Sequence, residues 1–235
     1  MKLILIQIGI FLLVAVSCTS DSEFDVELLE SGVLPSSNPS SEPDEWLLAH
    51  IDVETTGLLP GYHEMIDIGL VMTNLNGDIL DSLFLRIQPG FPERLSEGAF
   101  KANAFDPEKW KELNAFSIKS AVDSIIAFHK KIAGTKNVLM VAYNSQFDTA
   151  FLDHLFRAAG KTWRELYHYF VMDIPSMAWG LGLTDLSSQK LMKLYNIQDE
   201  PHIAEFHTGI TGALVNVRIY RGLLQYRKEH FFAQE

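Results

Sequence analysis

Two carboxylates separated by one apolar residue stand at the end of a predicted strand. Residues 46–51 form an apolar run typical of a buried strand, and Asp52 and Glu54 follow it directly. Because strand side chains alternate between faces, these two acids should emerge on the same side. Two like charges at the rim of an apolar sheet are costly unless a cation lies between them. The pair therefore predicts a divalent metal site; the alternative is a strand end whose acids turn into solvent before the Thr55-Thr56-Gly57 turn.

A second segment carries another acid at the start of a predicted helix. Residues 138–142 form an apolar strand that runs through a polar turn into an amphipathic helix ending near Gly160, and Asp148 lies in the first turn of that helix. The helix dipole favours a carboxylate at this position. Asp148 is therefore either a plain helix-start charge or a further metal ligand.

A histidine precedes the last predicted helix. His207 follows a polar loop, and residues 210–226 show apolar periodicity typical of a helix. A histidine at a helix entry can serve as a general base near neutral pH. The alternative is an ordinary exposed loop histidine.

The order of predicted elements indicates a single α/β domain over residues 46–235. Three strands come first, at residues 46–53, 64–73 and 79–87, joined by turns at 57–61 and at 74–77, where the second reads as a hairpin. Strands and helices alternate afterwards, beginning with a helical stripe of isoleucine and valine from Ile118 to Ile132. This pattern predicts a mixed central sheet flanked by helices.

The three segments together resemble the DEDDh branch of the DEDD 3′-to-5′ exonucleases, the family of proofreading exonuclease subunits, ribonuclease T and oligoribonuclease. The first family motif, Asp-x-Glu-Thr-Thr-Gly-Leu, is matched by residues 52–58. The second is matched by Asn144, Phe147, Asp148, Phe151 and Leu152. The likeness spans residues 46–224, including 186–197, which resemble the helix before the third motif. It implies the ribonuclease H-like fold.

The chain departs from the family at the third motif. In the family an aspartate that binds a catalytic metal follows the histidine by five residues, and here that position is Gly212. Glu205 is a weak substitute, because it lies on the other side of His207 and would need a rearranged loop. The resemblance thus leaves two readings open: an exonuclease weakened by a missing ligand, or a noncatalytic module that binds nucleic-acid ends.

The resemblance also implies roles for individual residues. Asp52, Glu54 and Asp148 would hold two Mg²⁺ or Mn²⁺ ions, and His207 would take the proton from the attacking water. The side chains and backbone that pack against the terminal nucleotides would be those of Thr55, Thr56, Gly57, Leu58, Asn144 and Phe147. Related enzymes often dimerise, which makes a homodimer an expectation.

Charge favours a single-stranded substrate over a duplex. Residues 46–235 contain 18 Lys and Arg against 22 Asp and Glu, so the domain lacks a broad basic surface for gripping duplex DNA. A short single-stranded 3′ end, of DNA or RNA, is the expected partner, and stacking on apolar side chains would bind it irrespective of sequence.

The amino terminus predicts export and a membrane tether. Residues 1–18 comprise Met1, Lys2, an uncharged apolar run over residues 3–16, and then Ser17 and Cys18, as in a bacterial signal peptide with a lipidated cysteine. Residues 19–45 carry eight acids and no basic residue, which predicts a disordered linker. The expected location is the bacterial cell envelope, and the alternative is the cytoplasm if the start is misassigned. Cys18 is the only cysteine, so no intramolecular disulfide is possible.

Overall fold

Five strands form one mixed sheet in the computed structural model, which describes residues 38–198 and 203–231. In chain order they are β1 (Trp46–Thr55), β2 (Met65–Thr73), β3 (Ile79–Arg86), β4 (Asn137–Ala142) and β5 (Val171–Asp173). Their spatial order is β3-β2-β1-β4-β5. The first three strands pair antiparallel, and β1, β4 and β5 run parallel to one another. The predicted mixed sheet is confirmed.

Helices cover both faces of the sheet. They are α1 (Glu97–Asn103), α2 (Pro107–Glu112), α3 (Ile118–Ala133), α4 (Ser145–Ala158), α5 (Ile174–Gly180), α6 (Ser188–Leu194) and α7 (Gly209–Phe231). Single turns of 3-10 helix occur at Pro43–Glu45, Pro92–Arg94 and Trp163–Glu165. The predicted hairpin between β2 and β3 is present, and Gly77 adopts the positive φ of +81° that its turn requires.

Two elements of the predicted pattern are longer in the structure. The strand β1 continues through Thr55, past the predicted end at residue 53, so Glu54 lies within the strand, at a register shift between Glu54 and Thr55. The last helix, α7, runs to Phe231, beyond the predicted end at residue 226. The short elements α1, α2 and β5 carry too little periodicity to be predicted.

The sheet separates two apolar cores. Alternate residues of β1 from Leu47 to Val53 pack with α3 and α4, whereas Trp46 and Leu48 face the side of α5, α6 and α7. Because both faces of β1 are covered, its sequence is apolar almost throughout. Asp52 and Glu54 share a face with Leu48, and they end the apolar stretch where the strand leaves the core.

The first turn of α7 approaches β1 and β2 at backbone distance. A β-carbon on Gly69 would overlap the backbone of Gly209 and Ile210, and a β-carbon on Gly209 would overlap the Asp52 carbonyl. About two turns further along, the Asn216 side-chain amide donates to the Ile51 carbonyl at 3.0 Å. Glycine at both contact positions thus lets the helix start lie directly on the sheet.

The predictions for the amino terminus fall mainly outside the described residues. This holds for the signal peptide over residues 1–18, for the lipidated Cys18, and for the predicted linker up to residue 37. Residues 38–45 are described and end in the turn Pro43–Glu45. None of the helices in the described ranges is both long enough and apolar enough to cross a membrane.

Replacing Gly69 with alanine tests the close packing of α7 on the sheet. The added methyl must displace the backbone of Gly209, and we expect the free energy of unfolding to fall by about 3 kcal/mol. Gly180→Ala is the control, because nothing lies within 4 Å of a β-carbon there. Urea unfolding of both variants measures the difference, and equal stabilities would contradict the close approach.

Acid should destabilise the protein through His129, on the opposite side of the sheet from α7. Burial lowers the pKa of His129 to about 4 from its ordinary 6.5, and its Nε2 lies 2.7 Å from the Tyr167 hydroxyl. The unfolded chain therefore takes up the proton first, and stability that is complete above pH 6.5 is lost as the pH falls towards 4. Urea unfolding at pH 7.5 and 5.5 should show a fall about 1 kcal/mol larger in the wild type than in His129→Gln, whose amide still reaches the hydroxyl but does not titrate. Equal falls would assign the acid sensitivity elsewhere.

Candidate active site

A cavity of about 490 Å³ opens where β1 and β4 end. The predicted site residues that line it are Asp52, Glu54, Thr55, Gly57, Leu58, Asn144, Phe147, Asp148 and His207. They come from three separate stretches of the chain, and the parallel pairing of β1 with β4 brings the first two stretches to one edge of the sheet. The third stretch reaches the same edge because α7 begins over β1 and β2.

Thr56, predicted to contact nucleotides, is described by the structure but does not line the cavity. Thr56 is buried, and its hydroxyl accepts the Glu64 N–H at 2.9 Å. Its carbonyl accepts the Ser96 N–H, which fixes the start of α1 beside the cavity. A β-carbon on Gly57 would lie within 2.6 Å of the His63 ring, so this turn is packed from beneath as well. The structure therefore gives Thr56 a loop-shaping place, and its predicted contact with nucleotides stays untested.

Glu54 is held from two sides. His207 Nε2 lies 3.1 Å from Glu54 Oε1. The Asn103 side-chain amide donates to the Thr55 carbonyl at 3.0 Å and lies 3.4 Å from Glu54 Oε2. His207 is itself tied to its loop by a backbone bond to the Ile203 carbonyl. These contacts place a histidine and a carboxylate side by side at the cavity wall, where the histidine side chain is 28% exposed.

Asp148 reaches the cavity from the other face of the sheet. The left-handed backbone of Asn144, with φ of 62°, turns the chain from β4 into α4, whose first turn carries Asp148. Asp173 accepts the Ser145 N–H at 3.0 Å and so fixes the helix start. Burial raises the pKa of Asp148, and the nearby charge of Asp173 raises it further, while the N–H groups of Asp148 and Val53 partly counter this. A cation beside this carboxylate would favour its ionised form.

A further buried acid, Asp67, receives the start of α7. It pairs with Glu54 across β1 and β2, and its Oδ1 accepts the Gly209 N–H at 2.9 Å. Burial raises the pKa of Asp67 to about 7, against the lowering effect of this hydrogen bond and of Arg86. The contact satisfies one of the N–H groups that a helix start leaves unpaired. Because His207 lies two residues before Gly209, Asp67 helps to fix His207 beside Glu54.

The Asp52 carboxylate lies directly against Gly212. A β-carbon on Gly212 would lie within 3.0 Å of both carboxylate oxygens of Asp52. A second cavity, of about 320 Å³, is lined by Asp52 as well, together with Gly212, Asn216 and Gln189 among others. Asp52 thus contributes to two cavities and lies against the glycine.

The acids do not form a ready metal-binding set. Among residues 38–198 and 203–231, no three Asp, Glu, His or Cys side chains lie together as a set that could hold a metal ion. Glu205, which was predicted as a weak substitute ligand, is exposed and lies outside the cavity lining. Carboxylate oxygens are nevertheless the ligands that Mg²⁺ and Mn²⁺ prefer, and three of them face one cavity.

Several residues of the site were not predicted from the sequence, and three of them have polar side chains that bear on its geometry. Asn103 and Tyr143 line the cavity, and Asp67 lies beneath it. Asn103 ends a short helix whose sequence has no clear apolar periodicity. Tyr143 lies in the segment after β4 that was predicted to be a polar turn. Asp67 did leave a signal, since it is an acid within an otherwise apolar strand.

Comparison with known proteins supports the fold. Neither a family model nor a curated protein matches the sequence. Among solved structures, the zinc-ion-bound complex of E. coli Exonuclease I with single-stranded DNA matches 80% of this chain with a TM-score of 0.62 and 14% identity. This chain spans 41% of that protein.

Two smaller exonucleases match more of their own length. The nuclease domain of 3′hExo, described as a DEDDh family member bound to rAMP, is 15% identical with a TM-score of 0.63, over 76% of this chain and 92% of that one. A 3′-exonuclease described as recognising the 3′ end of the histone mRNA stem-loop is 16% identical with a TM-score of 0.62, over 76% and 81%. At these identities the likeness establishes the fold, and the predicted ribonuclease H-like fold is confirmed.

Removing the acceptor beneath α7 should destabilise the helix start. Asp67→Ala leaves the buried Gly209 N–H without a partner, at a cost of about 1–3 kcal/mol in the free energy of unfolding. Asp67→Asn retains an acceptor of the same size and should lose less. Urea unfolding at pH 7 measures both, and an equal loss in the two variants would show that the negative charge matters more than the hydrogen bond.

Proposed function

We propose that this protein is a divalent-metal-dependent 3′-to-5′ exonuclease that hydrolyses phosphodiester bonds at single-stranded nucleic-acid ends, and that it belongs to the DEDDh branch. One observation carries the proposal: Asp52, Glu54, Asp148 and His207, drawn from three segments, line one cavity at the edge of the sheet. The fold that holds them is shared with exonucleases.

The donor chemistry fits a hard divalent cation. Asp52, Glu54 and Asp148 would hold it, and burial alone disfavours the charged form of Asp148, so a cation there would offset a cost that the structure already carries. When bound, such a cation neutralises charge on the phosphate and acidifies a nearby water. Gly212 contributes no ligand, so we expect weak binding and a requirement for high Mg²⁺ or for Mn²⁺.

The residues of the chain itself supply the proton transfer and the positioning. His207 at the cavity wall accepts the proton of the attacking water, and Glu54, 3.1 Å away, orients the ring. Asn103 holds Glu54 from its other oxygen. Leu58 and Phe147 line the cavity and exclude water from the terminal nucleotide.

The substrate is the 3′ end of a single strand. The cavity volume of about 490 Å³ suits one small ligand and not a duplex. The net negative charge of residues 46–235 gives no broad electrostatic grip on double-stranded DNA. The solved neighbours are described with single-stranded DNA and with an RNA stem-loop, and both DNA and RNA are substrates to test here.

Digestion of a 5′-labelled oligonucleotide tests the activity and its polarity. Single-stranded DNA and RNA are incubated with the full chain and Mg²⁺ or Mn²⁺, and we expect a ladder shortened from the 3′ end, abolished by EDTA. A phosphorothioate at the 3′-terminal linkage should slow the reaction, whereas one at the 5′ end should not. Asp52→Ala should lose at least ~100-fold in rate, because it removes a metal ligand. Asp123→Ala, an exposed aspartate on α3, is the matched control and should retain the rate.

Gly212→Asp separates the two readings of the missing ligand. If the wild type digests the strand faster than the Asp52→Ala variant does, three carboxylates suffice for activity. If only Gly212→Asp is active, while the wild type binds the strand without cutting it, the natural protein is an end-binding module. The substitution must turn Asp52 away from residue 212, so its unfolding free energy is measured alongside. No cleavage and no binding by either protein would refute both readings.

Location and assembly rest on the sequence alone. A lipid anchor at Cys18, a place in the bacterial cell envelope and a homodimer are proposals that follow from the residues and the resemblance. Membrane fractionation of the wild type and of Cys18→Ser checks the anchor, since only the wild type should sediment with the membranes.

A further inference from the structure

A small aromatic surface lies on two loops that also contribute residues to the cavity lining. It consists of Tyr62 and Phe91, whose side chains are 53% and 47% exposed, and of Arg94, whose guanidinium carbon lies 4.9 Å from the Tyr62 ring centroid and 3.7 Å from that of Phe91. The cation contacts both rings and orders them relative to each other. We call these three residues the aromatic platform.

Backbone hydrogen bonds fix the platform. Arg94 Nη1 donates to the Tyr62 carbonyl at 3.2 Å. The Glu64 carboxylate, which is buried, accepts the N–H groups of Gly90 at 3.2 Å and Phe91 at 2.7 Å. The two loops that carry the rings are therefore tied together through groups that remain when a ring is removed. Such a preordered surface loses little conformational entropy when it binds a ligand.

Both loops of the platform continue directly into the cavity lining. Leu58 lines the cavity and lies four residues before Tyr62 in the same loop, where the Leu59 N–H is bonded to His63. On the other side, Ser96 lines the cavity and follows Arg94 by two residues, a reach of about 7 Å at most. On both loops the platform is therefore separated from the cavity lining by only a few residues.

The charge of the platform suits a phosphate backbone. Among the ion pairs found in residues 38–198 and 203–231, none involves Arg94. Its positive charge is thus available on a domain that is acidic as a whole. Aromatic faces beside a cation are the combination that binds single strands, because every base has a face to stack.

We propose that the aromatic platform is a second binding subsite, which stacks a base upstream of the two nucleotides at the 3′ end while Arg94 contacts the adjoining phosphate. The ligand is single-stranded nucleic acid, DNA or RNA, of unrestricted sequence. The inference rests on the proposed function for the direction of the strand, and it goes further by assigning length dependence to residues outside the cavity.

Length dependence tests the subsite. Fluorescence anisotropy in EDTA measures the binding of labelled dT2, dT8 and rU8 to the full chain. Hydrolysis with Mn²⁺ measures kcat/KM for dT8 and for thymidine 5′-monophosphate 4-nitrophenyl ester. The ester is small enough to need the cavity alone. The wild type should bind dT8 more tightly than dT2. Arg94→Gln and the double variant Tyr62→Ala with Phe91→Ala should weaken dT8 binding about 5- to 100-fold and leave dT2 binding and ester hydrolysis unchanged. Comparison of dT8 with rU8 shows which sugar the subsite accepts.

Trp179→Ala is the matched control, because this aromatic side chain is 61% exposed on α5, away from the cavity lining. It should retain the length dependence. Equal affinity of the wild type for dT2 and dT8, or wild-type dT8 binding by both platform variants, would overturn the subsite even if the enzyme is active. Absence of all hydrolysis would refute the proposed function, and the anisotropy series, which needs no chemistry, would still decide on the platform.

Discussion

The close contact between the start of α7 and the strands β1 and β2 organises the carboxyl end of the sheet. Glycine at positions 69 and 209 lets backbone meet backbone, and Asp67 accepts the first N–H of the helix. The loop before this contact carries His207 to Glu54, and the turn after it carries Gly212 to Asp52. If side chains separated the helix from the sheet, α7 would lie further away. His207 would then not contact Glu54, and Gly212 would not contact Asp52.

Several acids are buried at this end of the sheet, and their ionised forms are therefore costly there. The pKa of Asp67 and that of Asp148 are both raised by burial, on opposite faces of the same sheet. Backbone N–H groups offset part of the cost in each case, and His207 lies against Glu54. A positive charge in this site would stabilise the ionised carboxylates, which is consistent with the divalent cation of the proposed function.

The sheet could be predicted well from the sequence because the patterns that indicate strands and helices are local. Apolar runs and the alternation of strands with helices depend on neighbouring residues, and β1, β2, β3, α3 and α4 all formed near their expected bounds. The cavity could be anticipated because its acids follow strand ends, where chain direction alone decides which side chains meet. Asn103 and Asp67 could not be assigned a partner, since each bonds a residue or helix start that lies far away in sequence.

The boundaries that were missed have the same origin. Glu54 was placed past the end of its strand, whereas pairing with Asp67 on β2 keeps it inside. The final helix outran its prediction because its apolar stripe fades before its backbone ends, and helix length depends on packing as well as on pattern. Local propensity set the elements, and contacts between them set their ends.

The Asp52 carboxylate lies in the space that an ordinary side chain at residue 212 would occupy. Positions 52 and 212 are therefore epistatic: the effect of a substitution at one depends on the rotamer available at the other. An acid introduced at residue 212 would first disturb the acid already present at residue 52. Such a substitution therefore perturbs the site more than its size suggests, unless the Asp52 carboxylate can turn away.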